Sequence, residues 1–506
     1  MEYDIIVVGA GNAGLSAAAT ATQYRMKTLV LERNPVPGGC ATSFCRGRFE
    51  FEPSLHELAD VGTQENPGGI RRLFADYRAQ VDWAVEKNAF RVMAGGPEGY
   101  DITMSSGVEA FCDALEAACP GSRESAEKVF DLASRANGLL VRLMRGQLKR
   151  EEDPDFLRAM THPVAVCLDA LGMPKRAQQI LNTYWVYLGV PPEELNFLHY
   201  ALMLDMYVRT PPAIPHGRSH ELTMALVDRI LACGGELRCG TEVTGLLWEN
   251  GRVCGVETAD GARIRAHQVL CSAFPEQAMD RLLPAEAVPS GLKKLTAARR
   301  TGVQFFCVYL GLNRSAEELG IRDYTLFLTA DPDSRKVYAH LEDPTKSVII
   351  ANCQNVVIPD ASPAGTCLLS FTAMLPSDYD PEITPRAYKK WKNAMADRMI
   401  AAYEGRTGLS VRPYIEEISV VTPATFARYL GTPGGTPYGY TTPCWDSLPM
   451  RLLAARDEQF LPGLTFIGAH AERGDGYSST YINGHSAAGG AVIAARMAAR
   501  EAKRHV

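Results

Sequence analysis

The residues best suited to chemistry stand at the start of the chain. Gly9, Gly11 and Gly14 follow the apolar, β-branched run Ile5-Ile6-Val7-Val8, and Glu32 closes a second apolar run, Thr28-Leu29-Val30-Leu31. Gly9 permits a tight turn, Gly11 lets the backbone approach a pyrophosphate, and Gly14 lets a helix pack closely on a sheet. A helix that begins there offers free N–H groups to phosphate charge. A carboxylate at the end of the second strand accepts hydrogen bonds from ribose hydroxyls. Strand, glycine turn, small-residue helix, strand and acid, in that order, read as a site for a dinucleotide. No second fingerprint of this kind follows a strand anywhere in the sequence.

The elements that must position such a site come from a chain of 506 residues, long enough for two or three domains. A composition of 46% hydrophobic and 22% charged residues is that of a soluble globular protein. The net charge of −6 comes without a basic stripe, which argues against a nucleic-acid partner. No apolar run reaches the roughly 18 residues of a membrane span. A strand beginning at Tyr3 leaves no room for a signal peptide, and no metal site is expected. Thirteen scattered cysteines read as reduced thiols, so a cytoplasmic location is expected, with peripheral membrane contact as the alternative. Arg496, Arg500, Lys503 and Arg504 form a basic tail, read as a solvated helix end or a contact with anionic lipid.

Further along, Pro35-Val36-Pro37-Gly38-Gly39 is a turn, and Phe49-Glu50-Phe51-Glu52 alternates like a short strand. The stretch from Ser106 to Tyr207 has helical periodicity. Within it, Leu181 to Tyr207 is rich in aromatic residues and methionine, read either as a helical core or as the lining of a greasy cavity. A helix is expected over Leu222–Ala232, then a hairpin through Asn250-Gly251. Runs over Val303–Leu310, Tyr324–Leu328, Ser347–Asn352 and Thr366–Phe371 predict a second, antiparallel sheet, interrupted by a helix over Pro385–Tyr403. A strand over Leu464–Gly468, a glycine loop and a helix over Asn483–Arg500 return the chain to the first unit. The expected architecture is α/β: a discontinuous Rossmann-type domain (1–85, 215–295 and 455–506) with a second α+β domain (86–214 and 296–454), built on an antiparallel sheet and a helical cap.

Several stretches extend the fingerprint: Gly38-Gly39, Phe51-Glu52-Pro53-Ser54-Leu55-His56, Leu188-Gly189-Val190-Pro191-Pro192-Glu193-Glu194-Leu195 and Ile214-Pro215-His216-Gly217. Val243, Val256, Thr422-Pro423-Ala424-Thr425-Phe426, Gly434-Gly435-Thr436-Pro437-Tyr438-Gly439, Gly468 and Gly474-Asp475-Gly476-Tyr477 complete the series. In this order the motifs resemble the FAD-dependent phytoene desaturase, carotenoid isomerase and retinol saturase group of amine-oxidase-like flavoproteins, over essentially the whole length. The resemblance implies that Gly9, Gly11, Asn12, Ala13, Gly14, Glu32 and Arg33 hold the ADP half of FAD. It places Gly38 and Gly39 along the pyrophosphate or ribityl chain and the Val243 backbone at the adenine. Gly468, Gly476 and Tyr477 would face the ribityl chain and the flavin. Ser54 stands where that group often has glycine, and so does Arg218. Cys40 and Cys45 are spaced like the redox disulfide of the glutathione reductase class, but the absent nicotinamide fingerprint argues against that role. Both are expected as residues near the cofactor.

The flavin would exchange a hydride with carbon while the protein handles a proton. His56, Glu57, Tyr438 and Tyr477, then His470 and Tyr481, are the candidates, since histidine titrates near neutrality and burial raises a carboxylate toward it. With one dinucleotide, an external electron donor or acceptor is required. Four readings stay open: desaturation or saturation of carbon–carbon bonds in an apolar, conjugated small molecule, double-bond isomerisation by reduced flavin, amine oxidation, and flavin binding without catalysis.

Overall fold

The computed structural model describes residues 2–149, 153–380, 383–457, 461–474 and 476–504. At its centre lies the strand Tyr3–Val8, parallel to Thr28–Leu31 on one side and to Arg263–Cys271 on the other. Glu236–Arg238 extends the sheet beyond Thr28–Leu31, and Leu464–Phe466 runs parallel to the end of Arg263–Cys271. The antiparallel strands Val243–Glu249 and Arg252–Thr258 lengthen the other edge. Their hairpin turns at Asn250 and Gly251, both at positive φ (51° and 74°), which matches the hand of the strand twist.

Tyr3–Val8 is buried on both faces because each face has its own cover. Ile5 and Val7 pack with the helices Asn12–Gln23, Arg218–Ala232 and Tyr477–Arg504. Ile6 points the other way, into a core shared with Leu29, Leu31, Val256 and the segment around Met279 and Leu283. The helix Asn12–Gln23 consists mostly of small residues and is almost wholly buried. A Cβ on Gly14 would lie 2.0 Å from the Gly9 carbonyl oxygen, and one on Gly484 2.1 Å from that of Ala13. The first helix therefore sits on the turn below it and on the last helix with backbone touching backbone.

The second sheet runs in the order Ile415–Val421, Gln304–Leu312, Cys367–Leu375, Val348–Cys353, Thr325–Thr329, Asn88–Ala94, Tyr100–Ser105. Neighbours are antiparallel except Thr325–Thr329 with Asn88–Ala94, which are parallel. The sequence reading finds four adjacent strands and misses Ile415–Val421, Asn88–Ala94 and Tyr100–Ser105. Phe306, Val308 and Leu310 face the helix Pro385–Thr407. Phe305, Cys307 and Tyr309 face the opposite side, into the core shared with the helices between Val108 and Val208. Tyr184, Phe197 and Tyr200 belong to that core, at most 2% exposed, with Tyr184 Oη bonded to Ala89 O and Tyr200 Oη to Leu181 O. Trp185 and Val186 instead line a cavity of about 80 Å³ that has Asn182, Glu193 and Phe327 in its wall.

Arg218 opens the helix Arg218–Ala232 at φ 60°, a left-handed conformation that glycine adopts more readily. Its guanidinium donates to Glu50 O (3.0 Å), pairs with Glu50 Oε2 (3.2 Å) and reaches Ala361 O, contacts that offset the backbone cost. The departure from glycine is thus built into a tie between three segments. Among the described residues no helix is long and apolar enough to cross a membrane. Arg496 of the basic tail stacks over Tyr24 and donates to its carbonyl; the side chains of Arg500, Lys503 and Arg504 lie outside the described residues.

The contact between Ala13 and Gly484 sets the separation of the first and last helices. Gly484→Val is expected to lower stability by about 1–3 kcal/mol, the cost of overpacking, read as a lower thermal midpoint. Gly489→Val, on the same helix with open space around it, is expected to lower it by less.

Candidate functional site

A cleft of about 300 Å³ opens above the ends of Tyr3–Val8 and Thr28–Leu31. Its floor is the fingerprint: Gly9, Gly11, Asn12, Ala13 and Gly14 all line it. Gly9 has φ 95°, and a Cβ there would lie 2.0 Å from Ser272 Oγ. At Gly11 a Cβ would meet nothing within 4 Å, so the space above that backbone belongs to the cleft. The helix Asn12–Gln23 starts there without a side-chain cap, and Asn12 Oδ1 is buried with no partner. Uncapped N–H groups beside open space are a ready receptor for an anionic group.

Glu32 and Arg33 line one end. Glu32 is 6% exposed, and its oxygens accept from Ala10 N and Asn34 N, each at 2.8 Å. The carboxylate therefore braces the glycine turn, with lone pairs left for a hydroxyl. Thr241 and Val243 stand beside it. Arg33 donates to Tyr429 O (3.2 Å), which brings a segment the sequence reading passed over, Tyr429 to Thr432, across the cleft. At the other end are Gly39, Cys40, Pro437, Gly439, Gly468 and His470. Gly468 N donates to Asn483 Oδ1 (2.9 Å) and has φ 114°. Phe274, which the sequence did not mark, packs on His470 at 5.5 Å.

Other expected residues stand behind the lining. Gly38 donates to Ala10 O (2.8 Å) and pairs with Gly11 in a parallel bridge. Gly476 precedes the last helix at φ 92°, while Asp475 lies outside the described residues. Tyr477 Oη donates to Cys40 O (2.9 Å) and meets Ser54 Oγ (3.0 Å), so the serine that replaces a glycine forms a contact. Burial holds the Tyr477 phenol well above its ordinary range, which leaves it a hydrogen-bond donor and no acid. Tyr438 lies between Pro437 and Gly439 but turns its hydroxyl to Val186 O (3.4 Å) and its ring edge to Phe305. Tyr481 is wholly buried against Phe74. Cys45 departs from expectation: it sits exposed on the small hairpin Phe44–Arg46/Phe49–Phe51, opposite Glu50, while Cys40 is in the cleft wall. Cys40 lies in the turn before that hairpin and Cys45 on its first strand, which carries the two cysteines apart.

His56 is tied to the second sheet. Its Nε2 is 2.9 Å from Thr372 Oγ1, and the Thr372 hydroxyl is directed at Cys307 Sγ, 3.7 Å away. A hydroxyl spent on sulfur leaves its oxygen to accept, which favours the tautomer with the proton on Nε2 and the lone pair on Nδ1. Burial lowers the His56 imidazole to about 4, so it is neutral at pH 7. Its ring lies parallel to that of Tyr187 (6.1 Å, 3°), whose hydroxyl donates to Glu57 Oε1 at 2.9 Å. Glu57 is pushed up to about 7 by burial, against the hydrogen bonds it accepts. His56 also borders a small cavity of about 20 Å³ with Ser54, Tyr309 and Tyr324. Thr372 and Cys307 escaped the sequence reading, since neither belongs to a motif. His470 is likewise neutral, lowered to about 3 by burial and by Arg299 and Arg451, and its buried Nε2 has no partner. The two arginines are held by Asp446, and Arg451 also anchors Ala471 O (3.1 Å).

A family model described as FAD binding domain matches residues 4–290. The chain is similar to the human all-trans-retinol 13,14-reductase, 24% identical over 92% of this chain and 82% of that protein. It is similar to the chloroplastic prolycopene isomerase of Daucus carota, 23% identical over 96% of this chain and 79% of that protein. Its fold matches that of cyclohexylamine oxidase from Brevibacterium oxydans, with a TM-score of 0.61 at 15% identity, over 99% of this chain and 100% of that one.

The open space above Gly11 separates binding from folding. Gly11→Val is expected to leave the thermal midpoint of the flavin-free protein close to wild type and to abolish flavin absorbance in the purified protein. Gly9→Ala is expected to lower both. A second expectation concerns pH. His56 titrates near 6.5 when unfolded and near 4 when folded, so the unfolded state binds more protons between these values. The stability it contributes is complete above about 6.5 and is lost as pH falls toward 4. In His56→Phe, unfolding midpoints in urea are expected to fall less steeply over that window.

Proposed function

The chain belongs to the FAD binding domain family and takes FAD as its cofactor; from that premise we propose that it saturates, desaturates or isomerises carbon–carbon double bonds of an apolar, conjugated small molecule. One observation carries the reading: a dinucleotide cleft is tied through Cys40 and Ser54 to the segment that carries the neutral His56, in a chain that aligns nearly end to end with enzymes named for that chemistry. The likeness to cyclohexylamine oxidase is one of fold.

The residues present fit FAD. The uncapped helix start, Asn12 Oδ1 and His470 Nε2 are polar groups without partners among the described residues, and the space above Gly11 is open. On this reading Gly9, Gly11, Asn12, Ala13 and Gly14 hold the phosphates, with Gly38 behind them, and Glu32, Arg33 and Val243 the adenosine. Gly39, Gly468, Gly476 and His470 stand toward the flavin. FAD supplies the hydride acceptor or donor. The chain's own residues do the rest. His56 Nδ1, with its lone pair free, accepts a proton; Thr372 and Tyr187 fix its ring. Tyr477 and Ser54 clamp the Cys40 segment against the last helix, and Tyr438 braces the wall at Val186. Residues 1–85, 215–295 and 455–506 form the cofactor domain, and 86–214 and 296–454 the substrate domain. Electrons come from or go to an external partner. The chain works in the cytoplasm, with peripheral contact at a membrane that stores the substrate.

The isomerase reading has its own support, since the prolycopene isomerase likeness covers 96% of the chain. Product mass discriminates. The holoprotein is incubated anaerobically with apolar polyenes, its flavin oxidised in one arm and reduced in the other. A gain or loss of two hydrogens marks a saturase or a desaturase. A shifted retention time at unchanged mass, with reduced flavin only, marks an isomerase. No change with any polyene would sink the proposal. His56→Ala is expected to retain FAD and lose about 100-fold in turnover; an unchanged rate removes His56 from the mechanism.

A further inference from the structure

Glu57 has a partner that no motif marks. Glu86, in the turn between the strands Trp83–Val85 and Asn88–Ala94, lies close enough to interact with it carboxyl to carboxyl, and each residue is 4% exposed. Their surroundings are aromatic and hydroxylic. Tyr184 and Tyr187 come from the turn Asn182–Tyr187, Tyr207 from the helix Phe197–Val208, and Tyr324 and Thr325 from the start of the strand Thr325–Thr329. Among the described residues neither carboxyl has an ion pair, and Glu86 Oε1 has no hydrogen-bond partner at all. The neighbouring Lys87 is exposed.

Two carboxylates in contact, out of water and without a cation, repel each other and are both poorly solvated. Ionised carboxylates are acceptors only, so a bond between them also requires a proton on one. The Glu57 end has a defined outlet. Its Oε1 accepts from Tyr187 Oη at 2.9 Å, and its Oε2 from Thr325 Oγ1 at 3.3 Å, which in turn accepts from Asn352 Nδ2 at 3.0 Å. Tyr187 lies parallel to the His56 ring.

We propose that Glu86 is a positioning residue: it shares a proton with Glu57, and the pair so formed fixes the Tyr187 hydroxyl and, through the Tyr187 ring, the imidazole of His56. Burial pushes Glu57 up to about 7 and Glu86 well above its ordinary range. As pH rises through neutrality, one proton leaves the pair for solvent and the other stays between the carboxyls. Below that point the pair is neutral; above it, a single negative charge strengthens the bond from Tyr187. The effect on turnover rests on the reading of His56 as the group that accepts a proton. The shared proton does not.

Infrared spectroscopy of the holoprotein tests the shared proton directly. Wild type should show the carbonyl band of a protonated carboxylic acid, shifted in D2O, whose intensity falls by about half across neutrality and persists above it. In Glu86→Gln a single carboxyl remains beside the amide, so the band should vanish entirely above the pH at which Glu57 titrates. The inflection in the turnover–pH profile should move to higher pH, because an amide holds the Glu57 charge less well than a carboxylic acid does. Tyr187→Phe should keep FAD and lose up to about 100-fold in turnover, as a misplaced ring would cause. A wild-type spectrum without the band, or one that loses it entirely above pH 7, overturns the proposal. So does a Glu86→Gln profile that superimposes on wild type. If Glu86→Gln fails to fold, the wild-type spectrum decides. If no polyene turns over, the function reading falls while the spectra still decide on the pair.

Discussion

The structure depends on one close approach: the first helix lies with its backbone on the glycine turn below it and on the last helix beside it. Gly14 against the Gly9 carbonyl and Gly484 against the Ala13 carbonyl leave no room for a side chain. The turn is thereby held open toward the cleft, because the helix start has no other place to go. Glu32 completes the brace from the neighbouring strand by accepting the Ala10 amide. A receptor for phosphate made this way costs little reorganisation when its ligand arrives, since the N–H groups are already aimed.

That approach also explains how distant segments share one cleft. The last helix carries Asn483, which fixes Gly468, and Tyr477, which ties down Cys40 beside Ser54. From Cys40 the wall continues into the second sheet. Cys307 and Thr372 lie on paired strands, directly opposite one another in register, and receive His56. The segment Ser54–Glu57 therefore joins the cleft wall to the second sheet, with Ser54 bonded to Cys40 and Tyr477, and His56 and Glu57 to Thr372 and Thr325.

The first sheet and its glycine turn were legible in the sequence because their signals are local: an apolar run, glycines at fixed spacing, an acid at a strand end. The central strands of the second sheet were legible for the same reason, being β-branched and buried on both faces. Asn88–Ala94 was not. It carries Asn88 and Arg91, and its pairing is with Thr325–Thr329, far along the chain. The site divides in the same way. Gly9, Gly11 and Glu32 announce themselves, whereas Thr372, Cys307 and Glu86 acquire meaning only from what the fold sets against them. Tyr438 and Cys45 show the converse error, since a residue beside a cleft in sequence turns away from it when the local backbone alternates or bends.

Burial assigns the proton roles more sharply than residue type does. A histidine and a carboxylate side by side in sequence suggest a base and an acid in the order of their ordinary pKa values. Here the order is inverted. His56 has lost its charge to burial and Glu57 has kept its proton for the same reason, because each is left in the neutral form that a dry environment favours. At pH 7 the imidazole can take a proton and has none to spare, while the carboxyl side of the cluster retains one. Desaturation releases a proton, and isomerisation needs none in net. Saturation consumes one, and on the proposed reading that proton comes from the side of Glu57. On that reading the direction of reaction is coupled to which neutral group the fold brings nearer to the reacting carbon, a constraint set by the ties of Ser54–Glu57 to the cleft wall and to the second sheet.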